Sequence, residues 1–274
     1  MDNNTIIKNI DIAIKAALGA GIKILEVYNS DNFEIEIKND DSPLTIADKK
    51  ANDFIIDLLL ETNLPILSEE GKEIPYDERK SWNYFWLVDP LDGTKEFIKR
   101  NGEFTVNIAL IEKNKPVAGV IFVPVLRQLY VGINNIGAFL YENVNINDNY
   151  TFESLKISGI KLPFKKNENE ITIVGSRTHM NLETEKFISE LKHRYNKVNI
   201  MPIGSSLKIC MVAEGKADIY PRFGPTMEWD TAAGHAIAIA SGTVFTKHDG
   251  SEMIYNKSNL LNPWFVVKAK GSVI

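Results

Sequence analysis

The stretch Trp86 to Arg100, WLVDPLDGTKEFIKR, constrains this chain more than any other. The apolar run that leads into it, Tyr84-Phe85-Trp86-Leu87-Val88, has the length and the aromatic and β-branched bias of a strand buried on both faces. Two carboxylates, Asp89 and Asp92, follow at the strand's end in a turn shaped by Pro90 and Gly93. Pro90 pre-sets its own φ, and Gly93 admits a backbone that a side chain would block, so the turn is stiff and the acids converge. Thr94 and Lys95 stand where a short helix can begin, which would aim unpaired backbone N–H groups at whatever lies between the carboxylates. Acids beside amide donors suit a metal-bridged anion. The same Asp-Pro-x-Asp-Gly pattern also makes an ordinary hairpin corner, so the rest of the chain has to decide.

With 274 residues the chain is long enough for one large domain or two medium ones. A content of 44% hydrophobic and 24% charged residues is that of a soluble globular protein. The formal charge of -5 argues against a nucleic-acid polymer as partner, because no basic excess is available to neutralise phosphates. A small anionic substrate stays open, since only local charge matters for it. Cys210 is the sole cysteine and lies in the apolar Ile209-Cys210-Met211-Val212, which fits a small buried hydrophobe, no intrachain disulfide and a reducing compartment. The N-terminal stretch lacks a basic leader, and Lys8, Asp11, Lys15 and Lys23 break its apolar residues. It reads as neither signal peptide nor membrane span, and the expected location is the cytoplasm.

Apolar residues at three- and four-residue spacings (Ile6, Ile10, Ala13, Ile14, Ala17, Ile24, Val27) predict a helix from about Thr5 to Asn29. Glu34 to Lys38 alternates like a strand, and Asp41-Ser42-Pro43 reads as the start of a second helix that carries Asp48 in its first turns and Phe54, Ile55, Leu58 and Leu59 on its apolar face. Leu64 to Leu67 is a short strand ending in Ser68-Glu69-Glu70-Gly71. Phe104–Ile111, Val117–Pro124, Gln128–Ile133 and Ala138–Tyr141 form an antiparallel meander, and the polar residues 142–153 are the candidate boundary region. Beyond it, strands at 171–174, 198–203, 217–220 and 244–245 alternate with helices at 182–195, 205–213 and 230–240. The expectation is a mixed α+β and α/β fold in two parts, an N-terminal α+β domain over residues 1–150 and a C-terminal α/β domain over 151–274, with a cleft between them.

Asp230, in Glu228-Trp229-Asp230-Thr231, opens the last of these helices. A helix cap would explain Asp230 alone, and a first-turn acid would explain Asp48 alone. Together, however, Glu69, Asp89, Asp92 and Asp230 are four carboxylates at strand or helix ends, with Asp48 a fifth. Hard oxygen donors without cysteine or paired histidine select magnesium or manganese over zinc.

Taken in order, Asp48 in TIADKKA, Glu69 in SEEG, DPLDGT at Asp89 to Thr94 and WDTAAG at Trp229 to Gly234 resemble the lithium-sensitive, magnesium-dependent phosphatases of the inositol monophosphatase superfamily, over nearly the whole chain. GTKEF followed by IKRNGEFTVNIALI, and RFGPTMEWDTAAGHA at Arg222 to Ala236, are similar to its bacterial 3'(2'),5'-bisphosphate nucleotidase branch. Inositol monophosphatases usually carry Thr-Asn in place of Lys95-Glu96. The resemblance implies a layered αβαβα sandwich and two or three magnesium ions, with manganese as a substitute, held by Glu69, Asp89, the Leu91 carbonyl, Asp92 and Asp230. It also implies that Asp48 and Thr94 orient and deprotonate the attacking water, and that the amides of Gly93 and Thr94 bind the scissile phosphate. Glu70 stays open between a third ion and the surface.

The nucleotide contacts it implies fall on Gly175 to His179, where Thr178 stands in place of an expected serine, and on Gly204, Ser205 and Lys208. Lys208 and Arg222 are expected to meet a second phosphate, the lysine as a point charge and the arginine as a fork. The implied reaction is release of the 3'-phosphate of adenosine 3',5'-bisphosphate (PAP). Inositol monophosphate or fructose bisphosphate hydrolysis is the alternative within the same chemistry, and a catalytically silent nucleotide- or metal-binding regulator is the alternative outside it. Monomer and homodimer both stay open, as does peripheral attachment to the inner membrane.

Overall fold

The computed structural model describes residues 1–30, 35–37, 43–146, 148–163, 170–175 and 181–270. The N-terminal periodicity becomes helix α1 (Asn3–Tyr28), capped by Asp2, whose carboxylate accepts from the Thr5 amide at 2.8 Å. Strands β1 (Ile35–Ile37) and β2 (Pro43–Thr45) pair antiparallel, and helix α2 (Ile46–Leu59) follows. The expected helix start at Asp41-Ser42-Pro43 is therefore corrected. Pro43 is a strand residue opposite Ile37, and the cap is Thr45, which forms a reciprocal capping box with Asp48. Asp41 and Ser42 lie outside the described residues.

Strand β3 (Ile66–Ser68), helix α3 (Tyr76–Arg79), strand β4 (Tyr84–Asp92), helix α4 (Thr94–Ile98), strands β5 (Thr105–Glu112), β6 (Lys115–Val123), β7 (Gln128–Ile133) and β8 (Gly137–Tyr141), helix α5 (Phe152–Ser158) and strand β9 (Ile160–Lys161) complete a seven-stranded sheet in the order β3-β4-β5-β6-β7-β8-β9. Only β3 and β4 run parallel among its neighbours. Strand periodicity explains why β4 to β6 carry apolar residues on both faces along most of their length. Trp86, Val88, Val106, Ile108, Leu110, Val120 and Phe122 pack against α1 and α2, while the alternate residues Phe85, Leu87, Ala109, Ile111, Ile121 and Val123 face the opposite core. Burying each such aliphatic side chain stabilises by about 1.5–3 kcal/mol before entropy is counted.

The second sheet comprises β10 (Ile171–Gly175), then, after helix α6 (Leu182–Lys192), β11 (Val198–Pro202), and, after helix α7 (Leu207–Glu214), β12 (Ile219–Arg222). Helix α8 (Glu228–Ser241) and strands β13 (Val244–Lys247) and β14 (Phe265–Lys268) complete it in the order β11-β10-β12-β14-β13. The first three strands are parallel, and β14 is antiparallel to both its neighbours. Helices α7 and α8 lie between the two sheets, and Ile188 and Leu191 of α6 cover the outer face with Ile171, Ile173, Ile219 and Val266. The layering is αβαβα. Sheet membership carries the first half past residue 150 to Lys161, and α8 from the second half lies on strands of the first. We propose the division of the chain as one between sheets that share a core. No helix among the described residues is long and apolar enough to cross a membrane.

The alanine-rich sequence of α8 has a steric reason. A Cβ placed on Gly119 of β6 would stand 2.4 Å from the Ala233 carbonyl oxygen, and one on Gly132 of β7 would stand 2.7 Å from the Ile237 Cα. Helix and sheet therefore touch backbone to backbone, which fixes the height of the helix start that carries Asp230. Gly119→Ala is expected to lift α8 and to destabilise the chain by about 1–3 kcal/mol. Urea unfolding would read this as a lower midpoint, and an unchanged midpoint would refute the close contact.

Candidate active site

The four aspartates of the site each accept a hydrogen bond from a backbone amide. Asp48, third in α2, accepts from the Thr45 amide at 2.8 Å and the Thr45 hydroxyl at 2.6 Å through Oδ2, while its Oδ1 accepts from the Thr94 hydroxyl at 3.2 Å. Asp89 Oδ1 accepts from the Leu91 amide at 3.0 Å, the local bond that closes the Asp-Pro-Leu-Asp turn. Pairing of β4 with β5 breaks register between Asp89 and Asp92, and this irregularity re-aims the second acid. Asp92 Oδ2 accepts from the Ser206 amide. Asp230 Oδ2 accepts from the Met227 amide at 2.9 Å at the start of α8. Glu69 follows β3, and its own amide donates to the Val88 carbonyl at 3.1 Å, which sets it beside the end of β4.

Glu69, Asp89 and Asp230 thus offer oxygen atoms that lie within 4.8 Å of one another, contributed by two strand ends and a helix start. Burial, and then the charges of Glu69, Asp92, Asp230 and Asp48, push the Asp89 carboxyl well above its ordinary range. Asp230 is also pushed well up, by burial and by Asp92 and Glu69. Burial raises Asp92 to about 6, against the opposing effects of Lys208 and the Ser206 amide. A cluster of hard oxygen donors that resists full ionisation on its own fits a divalent cation, which would relieve the repulsion that raises these groups.

The turn needs glycine at position 93. Its φ is +97°, and a Cβ there would stand 2.0 Å from the Ser205 hydroxyl and 3.2 Å from the Glu103 carbonyl. Ser205 closes the turn from the other half of the chain, with its hydroxyl 2.9 Å from the Asp92 carbonyl and 2.7 Å from the Glu103 carbonyl. The Gly204 amide donates to Glu103 Oε2 at 2.8 Å. Both residues line the smaller cavity, and these polar groups hold the turn from Asp89 to Gly93. Ser206, which the sequence reading passed over, supplies the amide for Asp92 and ties its hydroxyl to Asn107 Oδ1 at 2.8 Å. Its position just before an apolar helix was the available signal.

A cavity of 590 Å³ opens beside the carboxylates, with Glu69, Asp92, Thr94, Arg222, Asp230 and Phe223 in its lining. A smaller one of 140 Å³ adjoins it at Gly204, Ser205, Lys208 and Arg222. Burial lowers the Lys208 ammonium to about 8, although the charge of Asp92 supports it, and its Nζ lies 5.6 Å from the centre of the Tyr220 ring. Arg222 donates through Nη2 to the Pro225 carbonyl at 2.8 Å, and its Nε is buried without a hydrogen-bond partner, a donor left for an anion. Leu91 is buried within the turn, with its carbonyl 3.4 Å from the Thr94 hydroxyl. The expected contacts at Ser176 to His179 lie outside the described residues.

The inositol monophosphatase family model matches residues 7–270. A 3'(2'),5'-bisphosphate nucleotidase CysQ of Salmonella typhimurium is 43% identical over 256 residues, covering 92% of this chain and 96% of that protein. The CysQ of Escherichia coli K12 is 40% identical over 263 residues, covering 94% and 98%. Among solved structures, CysQ from Bacteroides thetaiotaomicron, described as a bacterial member of the inositol monophosphatase family, superposes with a TM-score of 0.89 at 48% identity over 97% of this chain and 98% of that one. The matched region takes in every residue placed above in the site, and the chain belongs to the inositol monophosphatase family.

Proposed function

We propose that this chain is a magnesium-dependent 3'(2'),5'-bisphosphate nucleotidase that releases the 3'-phosphate of PAP to leave AMP, recycling a by-product of sulfate assimilation. The observation that carries the reading is the adjacency of two unlike charge centres. The Glu69, Asp89 and Asp230 oxygens converge beside the larger cavity, Lys208 lines the smaller one next to it, and Arg222 and Asp230 line both. A substrate with two phosphates answers both, one phosphate reacting and the other serving as a handle. The activity of the CysQ relatives agrees with this.

Glu69, Asp89, Asp92, Asp230 and the Leu91 carbonyl would hold the ions, which when bound supply charge neutralisation at the phosphate and a more acidic attacking water. The chain's own residues then divide the work. The Thr94 hydroxyl has one proton, and donating it to Asp48 Oδ1 leaves its lone pairs to accept from the water. As the water attacks phosphorus, its proton passes to Thr94 Oγ1 and that of Thr94 to Asp48, while the bond from phosphorus to the 3'-oxygen breaks and that oxygen takes a proton from solvent to become the 3'-hydroxyl of AMP. The Thr45 contacts keep Asp48 oriented throughout. The Gly93 and Thr94 amides bind the reacting phosphate, and Lys208 and Arg222 bind the other.

Phosphate release from PAP and from inositol 1-phosphate, measured side by side in magnesium with and without lithium, tests the reading. Preference for PAP with loss of activity in lithium is expected. Preference for inositol 1-phosphate would keep the mechanism and overturn the substrate, and release from neither would favour a silent binder. Asp92→Asn should abolish magnesium-dependent release while the circular dichroism spectrum stays that of the parent, and retained activity would remove Asp92 from the ion site. Lys208→Ala should raise KM for PAP about tenfold or more, as expected for the loss of a charge-assisted contact. A monophosphate substrate should be far less affected, and equal effects on both would exclude Lys208 from substrate choice.

A further inference from the structure

Behind the carboxylates, the structure holds a second charged assembly that the reaction does not use. Arg79, in α3 within the connection from Glu69 to Asp89, is only 3% exposed. Its guanidinium donates to Asn256 Oδ1 at 2.8 Å, to the Lys257 carbonyl at 2.6 Å, to the Ser258 carbonyl at 3.1 Å and, through Nε, to the Ile74 carbonyl at 3.3 Å. Asn256 answers by donating Nδ2 to the Arg79 carbonyl at 2.8 Å, so the two residues grip each other reciprocally.

The same segment holds the start of α8. The fully buried Glu228 accepts from the Asn256 amide at 2.6 Å, from the Lys257 amide at 3.1 Å and from the Lys257 ammonium. The Glu228 amide donates to the Leu260 carbonyl at 2.9 Å, and Asn262 Nδ2 donates to the Met227 carbonyl at 2.6 Å. The amide of Met227 is the group that aims Asp230. One continuous set of bonds therefore runs from the Ile74 side of the Glu69 connection, through Arg79 and Asn256, to Glu228 and the peptide that orients Asp230.

We infer that Arg79, Asn256 and Glu228 form a strut that sets the position of Asp230 relative to Glu69 and thereby tunes divalent-cation affinity, without any of the three touching the ion. The inference rests on the reading of Glu69 and Asp230 as ion ligands. Two physical points favour it over a purely stabilising role. Burying a guanidinium and a carboxylate is no better for stability than apolar packing of the same volume, whereas multiply bonded charges define direction. Further, Glu69 and Asp230 come from elements far apart in the chain, and like charges there push them apart, so their spacing needs an external hold. Groups that orient ligands in this way typically change metal affinity by about 10–100-fold when altered.

Asn256→Gly is the cleanest test, because Asn256 has a φ of +61° that glycine adopts without strain, so the variant deletes the grip on Arg79 and leaves the backbone amide for Glu228. Glu228→Gln is the second variant. Manganese binding to the intact chain without substrate, followed by electron paramagnetic resonance, should weaken about tenfold in either. The magnesium concentration needed for half-maximal phosphate release should rise in parallel, with kcat at saturating magnesium unchanged. Melting temperatures measured alongside separate the two roles: a lower melting temperature with unchanged manganese affinity overturns the strut. Asp89→Asn is the reference. If it binds manganese like the parent, the ion-site reading falls and the inference with it. If it loses manganese while both strut variants bind like the parent, the strut alone is refuted. Should Glu228→Gln not fold, Asn256→Gly decides.

Discussion

Repulsion between buried and half-buried carboxylates is the constraint around which this molecule is arranged. Glu69, Asp89 and Asp230 place oxygens within 4.8 Å of each other, and Asp92 and Asp48 add charge to the same region. Groups of one sign brought this close in a partly dry site oppose folding unless they are protonated or given a counter-charge. Burial and the neighbouring carboxylates both push Asp89 and Asp230 above the ordinary carboxylate range. Apolar layers on both faces of the first sheet are what hold such a cluster together, and the polar bonds around each acid decide where it points.

The layers also decide which parts of the chain meet. Strands β3 and β4 run parallel, so their carboxyl ends open on the same edge and deliver Glu69 and Asp89 side by side. Asp230 has to arrive from the far end of the sequence, and it does so on a helix pressed against β6 and β7 at Gly119 and Gly132. Lys208 comes on α7, beside α8 in the same layer. Sandwiching two helices between two sheets thus gives one edge access to both an acidic and a basic set.

Much of this was legible in the sequence. The apolar run before Asp89, the stiff turn and the alternation of elements after residue 170 identify the layers, because periodicity reports burial directly. The Thr45-x-x-Asp48 capping box was equally local, yet Pro43 drew the helix start three residues too early, since proline at a first helical turn and proline at the edge of a short strand look alike. Strand β14 was not anticipated; it is a four-residue run whose partners, β12 and β13, lie on either side of it in the sheet. Arg79 was invisible for a deeper reason. In Tyr-Asp-Glu-Arg-Lys it has the composition of a solvated helix, and only contacts with residues about 180 positions away bury it. Long-range partners leave no trace in local pattern. Ser206 and Asn107 were missed likewise, because a serine at a helix start and an asparagine in a strand have ordinary local explanations.

The acids that sequence reasoning could explain twice, as helix caps or turn formers and as ion ligands, make their cap and turn bonds in the structure, and those bonds are compatible with the ion-ligand role proposed for them. A carboxylate has two oxygens and about four acceptor positions. Asp48 gives Oδ2 to the cap of α2 and Oδ1 to Thr94, Asp89 gives Oδ1 to its own turn, Asp92 gives Oδ2 to Ser206, and Asp230 gives Oδ2 to the first turn of α8. Each such amide bond favours the charged form, offsetting part of the cost of burial, and it also removes the rotational freedom that would blur the cluster. A cap is thus the means by which one oxygen is immobilised so that the side chain presents the other in a fixed direction. The ordinary structural explanation of each acid does not compete with the functional one; it supplies the positioning on which the function depends.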